Sequence, residues 1–125
     1  MQNRLRLVLF QEAPGLWVAR GLEHDISAEA RSIGGAVRAV LQLVEAHTAF
    51  DLRHSHAPLA AFAAAPQPYW NAYASGLEIS LAQIGVVTPP EWDIHLAFAS
   101  RQPGVERRAQ EMREMHRVHT ARQAV

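Results

Sequence analysis

Three stretches near the start of the chain alternate between apolar and polar positions, which is typical of β-strands with one buried face. They cover residues 4–10, 16–20 and 26–31. The turn residues Ala13-Pro14-Gly15 separate the first two stretches and favour a hairpin between them. The pattern therefore predicts three strands, with the first two paired as neighbours in one sheet.

A helical repeat follows the third strand. Ser32 is suited to the N-cap, and apolar positions then recur at intervals of three and four residues as far as about Asp51. This stripe predicts an amphipathic helix packed on the sheet. The prolines at positions 66 and 68 favour the first turn of a second, short helix, which carries Tyr69, Trp70 and Tyr73.

A fourth strand is predicted at residues 92–98, because Trp92, Ile94, Leu96 and Phe98 share one face of an alternating segment. We expect Trp92 to lie in the core. This late strand either covers an edge of its own sheet or covers an edge in a second subunit.

Residues 105–124 are rich in arginine, glutamate and glutamine and predict a largely exposed helix. The predicted fold class is α+β: a small antiparallel sheet with a β-β-β-α core, an added late strand and a C-terminal helix. We expect one domain at residues 1–100, followed by an arginine-rich helical tail at residues 101–125.

Composition removes several classes of chemistry. The chain contains no cysteine and no lysine, which excludes disulfides, thiolate metal sites, thiol nucleophiles and Schiff-base lysines. Its charges cancel overall, but residues 1–100 hold six arginines against nine acids, and residues 101–125 hold six arginines against three acids.

No secretory signal pattern is visible, and no apolar run reaches the roughly 18–20 residues that cross a bilayer. We expect a cytoplasmic protein without membrane contact.

One segment resembles a known family. Residues 16–32, LWVARGLEHDISAEARS, combine a strand with an aromatic-x-Ala pattern, a short acidic corner, another strand and a serine-capped helix. This order resembles the HicB-like family over about residues 4–51. After residue 52 the chain has no helix-turn-helix or ribbon-helix-helix pattern of the kind that a DNA-binding domain shows.

The resemblance implies a partial ribonuclease-H-like sheet crossed by one helix, without the acidic catalytic cluster of ribonucleases H. It also implies an antitoxin, which binds a small toxin ribonuclease of the HicA type.

Two histidine groups are candidates for chemistry. The corner Glu23-His24-Asp25 offers an imidazole between two carboxylates, but neighbouring side chains of an extended segment point to opposite faces, which favours a polar corner with local hydrogen bonds. His54 and His56 are spaced as in some metal sites, and a third ligand has to come from elsewhere in the chain. They remain weak metal candidates.

Two further groups are candidates for binding. Tyr69 and Trp70 could stack on a base or anchor a partner, and the alternative is that they cover an open sheet edge. In the tail, four arginines could meet phosphates or an acidic partner, and the alternative is pairing with glutamates at helical spacing. These arginines are Arg107, Arg108, Arg113 and Arg117.

No nucleophile elbow, glycine-rich dinucleotide motif or phosphate loop occurs in the sequence. We therefore expect no catalytic residues, no cofactor and no enzymatic activity. The predicted function is that of a non-catalytic, antitoxin-like binding protein that forms a homo-oligomer, a dimer or higher, and engages a toxin ribonuclease. The alternative is a DNA- or RNA-binding regulator that uses the arginine-rich helix.

Overall fold

The computed structural model of the chain describes residues 3–100 and residues 102–103. The three predicted strands form an antiparallel meander: β1 (Asn3–Ala13), β2 (Leu16–Gly21) and β3 (Ser27–Ala30). Gly15, at the turn between β1 and β2, has a φ of 72°, the left-handed conformation that glycine adopts without strain. The predicted hairpin and third strand are confirmed.

The long helix α1 (Ile33–Arg53) begins where the sequence predicts, since the Ser32 hydroxyl accepts a hydrogen bond from the Gly35 amide. Its apolar stripe packs on one face of the sheet, against the leucines of β1. The buried helix residues are Ala36, Val37, Val40, Leu41, Val44 and Thr48. This packing forms the larger of the two hydrophobic clusters.

The late strand is β5 (Trp92–Phe98), as predicted, and it pairs with β1 in the same chain. It therefore covers an edge of its own sheet. Trp92 is buried, and its indole N–H donates to the Thr48 hydroxyl at 3.0 Å.

The sheet is mixed, because β5 runs parallel to β1; the expectation of an antiparallel sheet is correct only for the other pairings. A parallel pair needs a long crossover connection, and the segment between β1 and β5 supplies one. The strand order is β3-β2-β1-β5-β4, where the edge strand β4 (Leu77–Ile79) was not predicted. Three residues are too few to display an alternating period.

The second helix, α2 (Gln67–Ala74), lies against β1 and β5 on the opposite face of the sheet from α1. Tyr69 from this helix is buried in the smaller hydrophobic cluster with Val8, Phe10 and Val18. The alternative that these aromatic residues cover an open sheet edge is wrong, because they cover a face. The chain is thus a three-layer α+β domain over its described residues.

The predicted tail helix at residues 105–124, and with it Arg107, Arg108, Arg113 and Arg117, lies outside the described residues. In the part of the chain that the structure describes, no helix combines the length and the apolar character that a membrane span requires.

Candidate functional site on the polar face of the sheet

The face of the sheet beneath α2 is apolar at one end and charged at the other. Pairing of β1 with β5 sets Arg4 beside Asp93 and Arg6 beside His95. Alternate strand residues share a face, so these four side chains lie on the side opposite α1. We call this end, with the groups that border it, the open polar face; it comprises Arg4, Arg6, Glu23, Trp70, Tyr73, Glu78, Asp93 and His95.

The corner between β2 and β3 supplies carboxylates to this face. Glu23 accepts hydrogen bonds from the Arg6 amide at 2.8 Å and from Arg6 Nε at 2.7 Å. Asp25 accepts two hydrogen bonds from Arg20, at 2.7 and 2.8 Å. Such charge-assisted pairs are short and directional, so each one holds its arginine in a single orientation.

His24 lies on the other side of the corner. Its Nδ1 is 3.3 Å from the Phe62 carbonyl oxygen, and its ring meets the Trp92 ring edge-on. The alternation expected for this corner is therefore present. The imidazole and the two flanking carboxylates point to opposite sides, so they do not form one acid–base group.

Two aromatic side chains of α2 pack against Arg6 and Arg20. The guanidinium carbon of Arg20 lies 4.0 Å from the centre of the Tyr69 ring. The guanidinium carbon of Arg6 lies 5.0 Å from the centre of the Trp70 ring. Cation–π contacts of this kind are strengthened by partial burial. Tyr69 is buried and has no ring face free for a base, whereas the half-buried Trp70 borders the open polar face.

His95 lies between two carboxylates. Its Nε2 is 3.1 Å from Asp93 Oδ2, and its Nδ1 is 3.9 Å from Glu78 Oε1. Arg4 Nε approaches the same Asp93 oxygen at 3.9 Å. The sequence analysis missed this group because it used only the apolar half of the alternation in residues 92–98; the polar half, Asp93 and His95, was the available signal.

The phenol of Tyr73 borders this face, and its pKa is raised. Burial of its phenol raises the pKa above the ordinary value of 10.0, and the negative charge of Glu78 raises it further. The positive charges of Arg6 and Arg4 act in the opposite direction, and Glu23 adds to the increase. Tyr73 therefore stays protonated at neutral pH and can both donate and accept a hydrogen bond.

The charged side chains of this face differ in exposure. The side chains of Glu78, Arg4 and Asp93 are 74%, 60% and 44% exposed, whereas that of Arg6 is 35% exposed. The surface thus combines fixed, half-buried charges with exposed ones around a tryptophan and a tyrosine. This combination offers a partner both aromatic and charged contacts.

The His54 and His56 rings lie 6.3 Å apart at the C-terminal end of α1. His54 stacks on Phe50, and its Nδ1 is 2.8 Å from the Phe50 carbonyl oxygen. Within the described residues, no three histidine, aspartate or glutamate side chains are grouped so that they could hold a metal ion.

Comparison with known proteins identifies no relative of this chain. No protein-family model matches the chain, and no curated protein or solved structure matches it either.

Proposed function

We propose that this chain is a non-catalytic binding protein of the HicB-like, antitoxin type, acting in the cytoplasm, and that its open polar face engages a protein partner. The observation that carries the proposal is that Trp70 packs on an Arg6 held by Glu23, with Tyr73 on the same helix, at the border of an exposed, charged surface. Tryptophan, tyrosine and arginine are the residues that most often dominate the energy of protein interfaces.

The charges on this face favour a protein over a nucleic acid. Arg4, Arg6 and Arg20, which the described strands place on this side of the sheet, each face a carboxylate. Binding of a phosphate backbone depends on cations that can replace its counterions. Paired arginines serve that purpose poorly, because their carboxylates repel phosphate.

The acidic balance of residues 1–100, six arginines against nine acids, favours a basic partner. A ribonuclease that binds RNA needs a cationic surface for the same counterion reason. A toxin ribonuclease of the HicA type, the partner that the resemblance implies, has the required chemistry. The resemblance of residues 16–32 and the meander followed by α1 support the same proposal.

Self-association is the second part of the proposal. The edge strand β3 pairs only with β2 among the described strands, so one of its sides is available to another chain. We expect a homo-oligomer, and sedimentation velocity over a range of concentrations tests this. A monomer at all concentrations would contradict it.

The partner proposal is tested by co-expressing the tagged chain with the product of the adjacent gene. We expect both proteins to be captured together by the wild-type tag. Glu78→Arg reverses a largely exposed charge on the open polar face and should reduce capture. Glu45→Arg makes the same change on the exposed side of α1 and should leave capture intact.

Isolation of the wild-type chain alone would contradict the antitoxin role. Equal capture by the two variants would instead show that the partner binds elsewhere.

The alternative function is binding of DNA or RNA, and the excess of arginine in residues 101–125 favours it. In that case, affinity for a nucleic acid should fall steeply as salt concentration rises. A gel-shift assay at low salt that detects no complex would eliminate it.

A further inference from the structure

The outer edge of β5 is only partly covered. β4 pairs with the second half of β5, from Leu96 to Phe98, and the chain then turns at Ser80 into a short 3-10 helix. Among the described residues, no strand lies beside the first half of β5 on the side away from β1. Consecutive strand residues turn their N–H and C=O groups to opposite edges, so either Ile94 or His95 directs both toward this gap.

A cleft with a volume of about 490 Å³ lies at this gap. Its apolar side is formed by Leu81, Val86 and Ile94, and its polar side by Glu78, Thr88 and His95. We call it the edge cleft. The Trp92 amide donates to the Pro89 carbonyl, so the uncovered part of β5 is residues 93–95, about 7–10 Å at the usual rise of an extended chain. That length matches a strand of about three residues.

We propose that the edge cleft accepts an extended peptide segment of the partner protein, which pairs with β5 as an added strand and carries alternating apolar and basic side chains. The proposal deepens the proposed function, and rests on it, because it gives the partner a point of attachment. Strand addition to an exposed sheet edge is a common mode of peptide recognition.

The alternating apolar and basic side chains expected of the peptide follow from the different chemistry of the two sides of the edge cleft. Successive side chains of an added strand point to opposite faces of the sheet. On the α1 side they would meet Leu81 and Val86, which favour apolar residues. On the other side they would meet Glu78 and Asp93, which favour lysine or arginine.

The same carboxylates argue against a second copy of this chain as the occupant. A second copy would bring its own Glu78 and Asp93 to an edge that already carries these two carboxylates, and like charges gathered at one strand pair are destabilising. Charge complementarity therefore selects a basic partner.

The test uses the full chain and two fluorescein-labelled peptides with equal charge. Arg-Val-Arg-Val-Arg can form a strand, whereas Arg-Pro-Arg-Pro-Arg lacks the proline N–H groups that strand pairing needs. By fluorescence anisotropy, we expect the valine peptide to bind and the proline peptide not to bind. Equal binding of the two peptides, or no binding of the valine peptide up to about 1 mM, would overturn the proposal.

Two variants locate the binding. Thr88→Trp should fill the edge cleft and abolish binding, while Val87→Trp, at a neighbouring position that is 88% exposed and outside the cleft, should not. Glu78→Gln should weaken binding by about two- to fivefold, as expected for an exposed ion pair. Unchanged affinity in Thr88→Trp, with thermal unfolding as a check on folding, would contradict the proposed location.

The outcomes separate this inference from the proposed function. If the wild-type chain captures its partner and Thr88→Trp captures it equally well, the proposed function stands and the edge cleft is not the attachment point. If the valine peptide binds and no partner is captured, the edge cleft stands and the antitoxin role does not.

Discussion

The ion pair between Arg20 and Asp25 should be the strongest polar contribution to the stability of the corner. Asp25→Asn keeps the shape of the side chain and removes its charge, so one amide N–H group then faces the guanidinium. The native pair makes two hydrogen bonds, of 2.7 and 2.8 Å, of which the asparagine oxygen can keep only one, and the side chains are 13% and 29% exposed. The cost lies between that of an exposed pair, at most about 1 kcal/mol, and that of breaking a buried pair, about 3–5 kcal/mol. We expect a loss of about 2 kcal/mol in the free energy of unfolding.

Urea unfolding followed by tryptophan fluorescence measures this loss. The matched control is Glu29→Gln, which neutralises an exposed carboxylate on β3 and should change stability by less than about 0.5 kcal/mol. If Asp25→Asn is no more destabilising than this control, the corner is not held by its ion pair. Asp25 would then not be what holds the Arg20 guanidinium against the Tyr69 ring.

Further changes test other contacts. Thr48→Val leaves the buried Trp92 N–H without its acceptor and should cost about 1–2 kcal/mol in urea unfolding, whereas no loss would contradict the role of this hydrogen bond. Gly21→Ala should cost about 2 kcal/mol or more, because its Cβ would collide with a backbone carbonyl of the adjacent corner. Gly34→Ala, whose Cβ would meet only a flexible arginine side chain, should instead add about 0.5–1 kcal/mol, and a cost comparable to that of Gly21→Ala would refute this distinction. In an ultraviolet absorbance titration, the signal lost in Tyr73→Phe should have its midpoint above pH 10.0, and a midpoint at or below that pH would contradict the burial of the phenol.

The sign of the Tyr73 effect on stability follows from linkage. Because folding raises the pKa of Tyr73, the folded state holds this proton more tightly than the unfolded state does. Its contribution to stability is therefore complete below pH 10.0 and is lost as the pH rises through the raised pKa. Tyr73→Phe should lose less stability than the wild-type chain over that alkaline range.

Periodicity was sufficient to predict most of the scaffold. The alternation in β1, β2 and β5 and the three- and four-residue repeat of α1 are long enough to stand out against their surroundings. The Ser32 cap was predictable because its hydrogen bond is local. Features that depend on which distant segments meet were not predictable in this way: the parallel pairing of β5 with β1, and the three-residue strand β4.

The candidate site was predictable only in part. Trp70 and the corner carboxylates were recognisable as unusual residues, but their connection through Arg6 joins residues far apart in the chain. Asp93 and His95 come next to Arg4 and Arg6 only through the strand register. A sequence pattern gives the face of each strand, and the register between strands depends on tertiary packing.

The central claim is that this chain binds a toxin ribonuclease without catalysis of its own. The most direct measurement is cleavage of a labelled RNA by the purified product of the adjacent gene, with increasing amounts of the full chain added. We predict that cleavage falls as the chain is added, that Glu78→Arg inhibits less than Glu45→Arg, and that the chain alone leaves the RNA intact. Undiminished cleavage at excess chain, or cleavage by the chain itself, would contradict the account.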